Sequence, residues 1–261
     1  MDLARQLRQH LESLKSAGVG WLPAPVAMPP SSQADSNEST AAPTVTVCRT
    51  GGDGIPAGGL FDGESETAAL SIEQRRLALE QVCAQVAKCS RCGELASSRR
   101  NTVFGVGRIG PEICFVGEAP GADEDAQGEP FVGAAGQLLN KIIAACGMKR
   151  EEVYICNIIK CRPPGNRLPL ASEAANCREF LEEQVELVRP RFICALGACA
   201  AQNLLNTTTA IGRLRGQFHQ YRGIPVLCTY HPAYLLRSPE KKRDVWEDMK
   251  KLLQRMGRPV P

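Results

Sequence analysis

The chain has 261 residues, of which 43% are hydrophobic and 23% are charged, and its formal net charge is +3. This length fits one or two domains with an ordinary hydrophobic core. No apolar run is long enough to cross a bilayer, and the charged N-terminus does not resemble a signal peptide, so we expect a cytoplasmic protein without a membrane partner.

Charge is unevenly distributed along the chain. Acidic residues outnumber basic ones in the first 70 residues, and basic residues outnumber acidic ones in the remainder. A basic C-terminal part favours an anionic partner such as nucleic acid. Nothing in the composition requires more than a monomer.

The first 70 residues differ from the rest of the chain. Residues 1–17 are predicted to hold a short amphipathic helix, with leucines at positions 3, 7, 11 and 14 on one stripe. That helix could dock on its own domain or on a partner. Residues 18–70 are rich in Pro, Gly and Ser and are predicted to be a disordered linker, because they contain too few large apolar residues to offset chain entropy. The extension could tether a replication or repair protein.

An ordered domain is predicted over residues 71–261, and it begins with a helix. Ser71 and Gln74 have the spacing of a capping box, and Leu79, Val82 and Val86 then share one helix face. Further along the chain, strands are predicted at 112–117, 153–159, 191–197 and 224–230. Helices are predicted at 136–147, 171–188, after Gly197 to about Leu205, and at 244–256.

The alternation of strands and helices indicates the fold class. The strands are continuous apolar runs rather than alternating ones, which is typical of a parallel sheet buried on both faces. We therefore expect a three-layer α/β/α domain with a central, mainly parallel four-stranded sheet. Ligands of such folds bind at the carboxyl ends of the strands, where four loops should meet.

Twelve cysteines in a chain expected to be cytoplasmic do not indicate disulfides. Cys89 and Cys92 form a C-x2-C pair, Cys161 follows a strand, and Cys177 lies 16 residues later in a helix. Four thiolates suit either zinc or an iron–sulfur cluster. Spacing alone also leaves Cys83 as a competing ligand.

Polar and aromatic residues collect at the predicted strand ends. Glu118 and Glu124 offer carboxylates, Phe131 offers a ring, Asn157 ends an apolar strand, and His231 follows the last strand. Together they suit a flat polar heterocycle, since the ring can stack on a base and the carboxamide can pair with a pyrimidine edge.

Three motifs carry a family resemblance. These motifs are, in order, GEAPGADED followed by PFVG, then NIIKCRPPGNR, then HPAYLLR. With them, the chain closely resembles the family 4 uracil-DNA glycosylases over roughly residues 76–258. The resemblance implies a uracil-DNA glycosylase fold with a 4Fe–4S cluster. The implied cluster ligands are Cys89, Cys92, Cys161 and Cys177.

The resemblance also implies the roles of the pocket residues. Uracil would be held by Glu118, Ala119, Phe131, Asn157 and His231, and catalysis would rest on Glu118, Glu124 and His231. Breaking the glycosidic bond leaves positive charge on the sugar and negative charge on the base, so a carboxylate and a neutral imidazole fit the reaction. The implied activity is release of free uracil from DNA, which leaves an abasic site for base excision repair.

Contacts to DNA are expected beyond the pocket. Arg213, Arg215, Tyr234 and Arg237 are candidates for binding DNA, whether single- or double-stranded. The HPAY motif lies where the wider superfamily inserts a wedge into the duplex, which makes Ala233, Tyr234 and Leu235 wedge candidates.

Four alternatives compete with this interpretation. A non-enzymatic iron–sulfur protein that binds DNA could share the scaffold, and a zinc-stabilised binding module would use the same cysteines. A relative that cross-links to DNA uses a histidine in an inserted loop, and CRPPGNRLPLASEA contains no histidine. A sister family has an apolar residue where this chain has Glu118.

Overall fold

The computed structural model describes residues 70–260, and a six-stranded sheet forms the centre of this part. The sheet order is β1-β3-β2-β4-β6-β5. The four inner strands run parallel, and the two edge strands pair antiparallel to their neighbours. The strands are β1 Val106–Gly107, β2 Ile113–Gly117, β3 Tyr154–Asn157, β4 Phe192–Leu196, β5 Phe218–Tyr221 and β6 Ile224–Thr229.

Nine α-helices accompany the sheet within the described residues. They are α1 Ile72–Ala87, α2 Gly93–Ser98, α3 Ala122–Gln127, α4 Ala134–Ala145, α5 Ala171–Val188, α6 Gly197–Leu205, α7 Ile211–Leu214, α8 Pro232–Arg237 and α9 Lys242–Met256. Short 3-10 turns occur at Arg150–Glu152, Pro164–Asn166 and Pro239–Lys241.

The helices cover both faces of the sheet and give two apolar clusters. Residues of α1, α5 and α6 pack with Val116 and Cys156 on one face. Residues of α4 and α9 pack with Phe115 and Ile155 on the other face. All residues of β2, β3 and β4 are buried, which explains why their sequences are continuous apolar runs. The predicted three-layer α/β/α fold is confirmed.

Two features of the sheet and loops differ from the prediction. The sheet has six strands rather than four, because the short β1 and the half-exposed β5 add antiparallel edges. The acidic segment after β2 contains the helix α3. Its C-cap Gly128 has a positive φ of 78°, and its buried Asp125 accepts hydrogen bonds from the backbone N–H of Arg100 and Asn101.

Other predictions can be placed against these bounds. The capping box of Ser71 and Gln74 is present, and α5 has the predicted limits. The predicted N-terminal helix and almost all of the linker lie outside the described residues. Over residues 70–260, no helix is long and apolar enough to cross a membrane.

Candidate active site

The predicted pocket residues meet at the carboxyl edge of the sheet. Gly117 at the end of β2 pairs in register with Asn157 at the end of β3, and Glu118 comes next in the chain. His231 begins α8 after β6. A cleft of about 540 Å³ opens here, and its wall includes Glu118, Ala119, Glu124, Phe131, Asn157, His231, Tyr234 and Arg237. The structure thus brings together every residue predicted to bind uracil.

Asn157 lies deep in this cleft, with 1% of its surface exposed. Its Oδ1 is buried and has no hydrogen-bond partner. Gly117 leaves the space beside it, since a Cβ there would lie 2.6 Å from Phe131 Cζ and would also collide with Asn157 Oδ1. An unpaired buried carbonyl costs about 1–3 kcal/mol, which indicates that a ligand donor completes this site.

The ring of Phe131 is held in place by an uncommon backbone conformation. Phe131 is buried and has a φ of 54°, which few non-glycine residues adopt. Gly136 permits the turn, because any Cβ at that position would overlap the Phe131 backbone. The ring centroid lies 5.6 Å from that of His231, at an interplanar angle of 33°. Strain of this kind is typical of ligand-binding loops.

His231 is a neutral hydrogen-bond donor in this geometry. Its Nδ1 accepts from the backbone N–H of Ala233 at 3.1 Å, so the ring proton of the neutral form lies on Nε2. Burial, aided by the charge of Arg237, lowers the pKa of His231 to about 4. The imidazole is therefore uncharged at neutral pH and still has one N–H to donate.

The two glutamates have different surroundings. Glu118 is half-buried, and burial raises the pKa of its carboxyl. Glu124 Oε1 accepts from the backbone N–H of Val132 and Gly133, each at 2.9 Å, and its Oε2 accepts from Gly121 at 3.0 Å. Glu124 therefore ties the start of α3 to the segment after Phe131, and Glu118 is the carboxylate without such backbone ties.

The four predicted cluster thiols lie in one neighbourhood. Burial raises the pKa of Cys161 to about 11 against the lowering effect of Arg99, and the nearby Cys177 and Cys89 contribute to the rise. Burial also raises the pKa of Cys177, with Cys92 and Cys89 contributing. Cys83 instead lies close enough to Tyr154 to affect its pKa. Between residues 70 and 260, no group of three or more His, Cys, Asp or Glu side chains is placed to hold a metal ion.

Hydrogen-bond donors surround these thiols. Arg99 Nη1 donates to Cys161 Sγ at 3.1 Å, and its Nη2 donates to the Cys89 carbonyl oxygen at 2.7 Å. Asn176 Nδ2 lies 3.4 Å from Cys92 Sγ. Donors of this kind stabilise thiolates that would otherwise be buried charges.

Of the four residues predicted to contact DNA, two are exposed and two already contact neighbouring side chains. Arg213 and Arg237 are exposed. Arg215 is committed to a two-point ion pair with the buried Asp248, through contacts of 3.1 and 2.9 Å. The ring of Tyr234 packs 5.2 Å from that of Tyr230.

One wedge candidate is wrong. Leu235 is 1% exposed and belongs to the core, so it cannot enter a base stack. Leu236, the next residue of α8, is 47% exposed and points a large apolar group to solvent. Placing HPAYLLR on a helix and first identifying the residue that faces the core would have distinguished the two leucines.

Lys160 is a residue whose role the sequence did not reveal. It is fully buried, and its Nζ donates to the Asn157 carbonyl oxygen at 2.8 Å and to Gln184 Oε1 at 2.5 Å. Its backbone N–H lies against the Cys177 thiol and lowers the pKa of that group. Lys160 thus connects the thiol neighbourhood to the backbone of Asn157. The signal in the sequence that could have indicated this role was a lysine next to an apolar strand.

Comparison with known proteins agrees with this fold. The model of the Uracil DNA glycosylase superfamily matches residues 104–250, a range that contains all six strands and every pocket residue named above.

Individual relatives show to which family within this superfamily the chain belongs. The chain is 41% identical over 191 residues to a type-4 uracil-DNA glycosylase of Archaeoglobus fulgidus, which covers 70% of this chain and 96% of the relative. It is 45% identical over 177 residues to one of Thermotoga maritima, covering 66% and 92%. A type-5 uracil-DNA glycosylase of Pyrobaculum aerophilum is 31% identical over 184 residues, covering 58% and 80%. The chain belongs to the uracil-DNA glycosylase superfamily and, within it, to the type-4 family.

Proposed function

We propose that this protein is a DNA repair enzyme that hydrolyses the N-glycosidic bond of deoxyuridine in DNA, releasing uracil and leaving an abasic site. The observation that carries the proposal is the unpaired, buried Oδ1 of Asn157 deep in the cleft beside Phe131. Uracil has an N–H for this oxygen and a carbonyl for the amide N–H₂, and its face can stack on the ring.

The same amide rejects cytosine. Cytosine reverses the donor and acceptor at this edge, so a buried amide would face two mismatched groups. Each unsatisfied group costs about 1–3 kcal/mol, which is enough to exclude the common base from productive binding.

The remaining pocket residues act on the charges that develop as the bond breaks. The neutral His231 donates from Nε2 to the departing uracil anion, and the fixed position of its ring avoids reorganisation during the reaction. The ionised form of Glu118 stabilises the positive sugar and orients the attacking water. Glu124 holds the loop that carries Phe131, and we assign it a positioning role.

We infer that Cys89, Cys92, Cys161 and Cys177 hold a 4Fe–4S cluster. The residues fit the group, because four thiols lie in one neighbourhood and Arg99 and Asn176 donate to two of them. No three of these thiols are placed to hold a single metal ion, and a 4Fe–4S cluster would instead be held by all four thiolates. Because Cys89 and Cys92 lie between α1 and α2, Cys161 lies in the loop after β3 and Cys177 lies in α5, a cluster held by them would tie these segments together, which supports a structural role.

The test is excision from a defined oligonucleotide. Purified protein is incubated with a single strand containing one uracil, treated with hot alkali, and compared with strands containing thymine or cytosine at that position. We expect strand cleavage at uracil alone. Intact uracil strands after incubation with protein of full iron content would refute the proposal.

A further inference from the structure

A second cleft adjoins the uracil pocket. Its volume is about 760 Å³, and it shares Glu118 and Leu168 with the first cleft. It lies between the first half of α5 on one side and α6 with the loop after it on the other. Its polar wall consists of Arg178, Gln202, Asn203, Asn206, Thr207 and Thr208. The two shared residues therefore form a ridge between the clefts.

Leu168 on this ridge is unusually exposed for an apolar residue. Its exposed fraction is 69%, and the nearby Leu170 is 52% exposed. Leu236 is a further exposed apolar residue, beside the uracil pocket. The remaining large exposed apolar residues in the described part lie on α1, at its start, or at Val260 near the end. Exposed apolar groups concentrated around a cleft indicate a ligand surface.

The segment that presents Leu168 is braced. Arg167 donates to Glu173 through two contacts, of 2.9 and 2.7 Å, and to Glu94 at 2.8 Å. Glu173 is buried in α5, and Glu94 belongs to α2. Because its neighbour is tied to two helices, Leu168 keeps its place on the ridge without a ligand.

The chemistry of the second cleft suits a nucleoside. Gln202 Nε2 donates to the Thr209 carbonyl oxygen at 3.1 Å, and Asn203 Nδ2 donates to that of Cys199 at 2.8 Å. Their amide oxygens therefore serve as acceptors for the edge of a base. Exposed Arg178 supplies a charge for a phosphate.

We propose that the second cleft binds the nucleotide next to uracil on the same strand, and that Leu168 separates the two bases. This inference rests on the proposed uracil excision. The two clefts adjoin at Leu168, so a strand that crosses the ridge there from the uracil pocket places the adjacent nucleotide in the second cleft. The leucine fills the space between the bases, as apolar wedges do in other DNA-binding proteins.

The experiment uses single-stranded substrates in which a stable abasic analogue replaces the nucleoside before uracil, after it, or at both positions. For the wild-type chain, removing the base on one side should lower kcat/KM about tenfold, the value of one lost base contact. Leu168→Ala should lower kcat/KM on the complete strand by a similar factor. Leu77→Ala is the control, because Leu77 is also exposed and lines neither cleft.

A second variant blocks the cleft directly. Ala171 is exposed in its wall, and Ala171→Trp should lower kcat/KM on the complete strand and remove the effect of the abasic neighbour. Equal wild-type rates on all strands, or wild-type rates from both variants, would overturn the inference and leave the glycosylase intact. Failure of the wild-type chain to release uracil from any strand would instead refute the proposed function.

Discussion

Replacing Asn157 by Ala should lower the activity strongly and leave the stability almost unchanged. The side chain is 1% exposed and its Oδ1 is unpaired. Removing that oxygen relieves a penalty of about 1–3 kcal/mol, and the packing lost with the side chain costs a similar amount. We therefore expect the free energy of unfolding to change by no more than about 1 kcal/mol.

The effect on excision should be much larger. Two hydrogen bonds to uracil are lost, and at about 1–3 kcal/mol each they correspond to a fall in kcat/KM of at least about 30-fold. The assay is uracil release from a single-stranded oligonucleotide, measured beside thermal unfolding and iron content. Asn140→Ala is the control, since the half-buried Asn140 accepts a hydrogen bond from Arg150 and lines neither cleft. Near wild-type kcat/KM for Asn157→Ala would refute the assignment of the pocket.

Three further predictions test the surrounding groups. kcat/KM should fall with decreasing pH through a midpoint above 4.5, because the pKa of Glu118 is raised and its ionised form acts. No inflection near 6.5 should depend on His231, because its pKa is about 4 and its imidazole stays neutral there. An inflection there that His231→Gln removes would contradict this. Cys161→Ser should lose iron and lower the melting temperature, whereas Cys83→Ser should do neither, and loss of iron from the latter would overturn the ligand set. Lys160→Met should lower kcat/KM about tenfold while keeping the fold, because Asn157 loses its backbone brace; unchanged kinetics would show that the brace is dispensable.

Sequence patterns predicted the centre of the fold well, for physical reasons. The inner strands are buried on both faces, so each one reads as an unbroken apolar run, and α5 is bounded clearly by its own pattern. The edge strands were not predicted. β1 has two residues, and FHQY in β5 lacks a continuous apolar face. The helix α3 was missed because its acidic residues stand among glycines and prolines.

The sequence predicted which residues line the cleft, but it did not predict how their surroundings differ. Glu118, Asn157 and His231 lie at or just after the carboxyl ends of predicted parallel strands, and such ends share one edge of the sheet whatever the strand order. The sequence does not reveal that backbone N–H groups occupy both oxygens of Glu124, or that Leu235 is buried and Leu236 exposed. These facts depend on loop geometry and helix rotation. The monomeric state, the cytoplasmic location and the role of the N-terminal extension stay predictions.

The most direct test of the central claim is the mass of the DNA after reaction. A single-stranded oligonucleotide with one uracil is incubated with the protein, and the whole mixture is examined by mass spectrometry without alkali. Hydrolysis predicts free uracil and an intact strand in which a hydroxyl replaces the base. An unchanged oligonucleotide, or DNA joined covalently to the protein, would contradict the account.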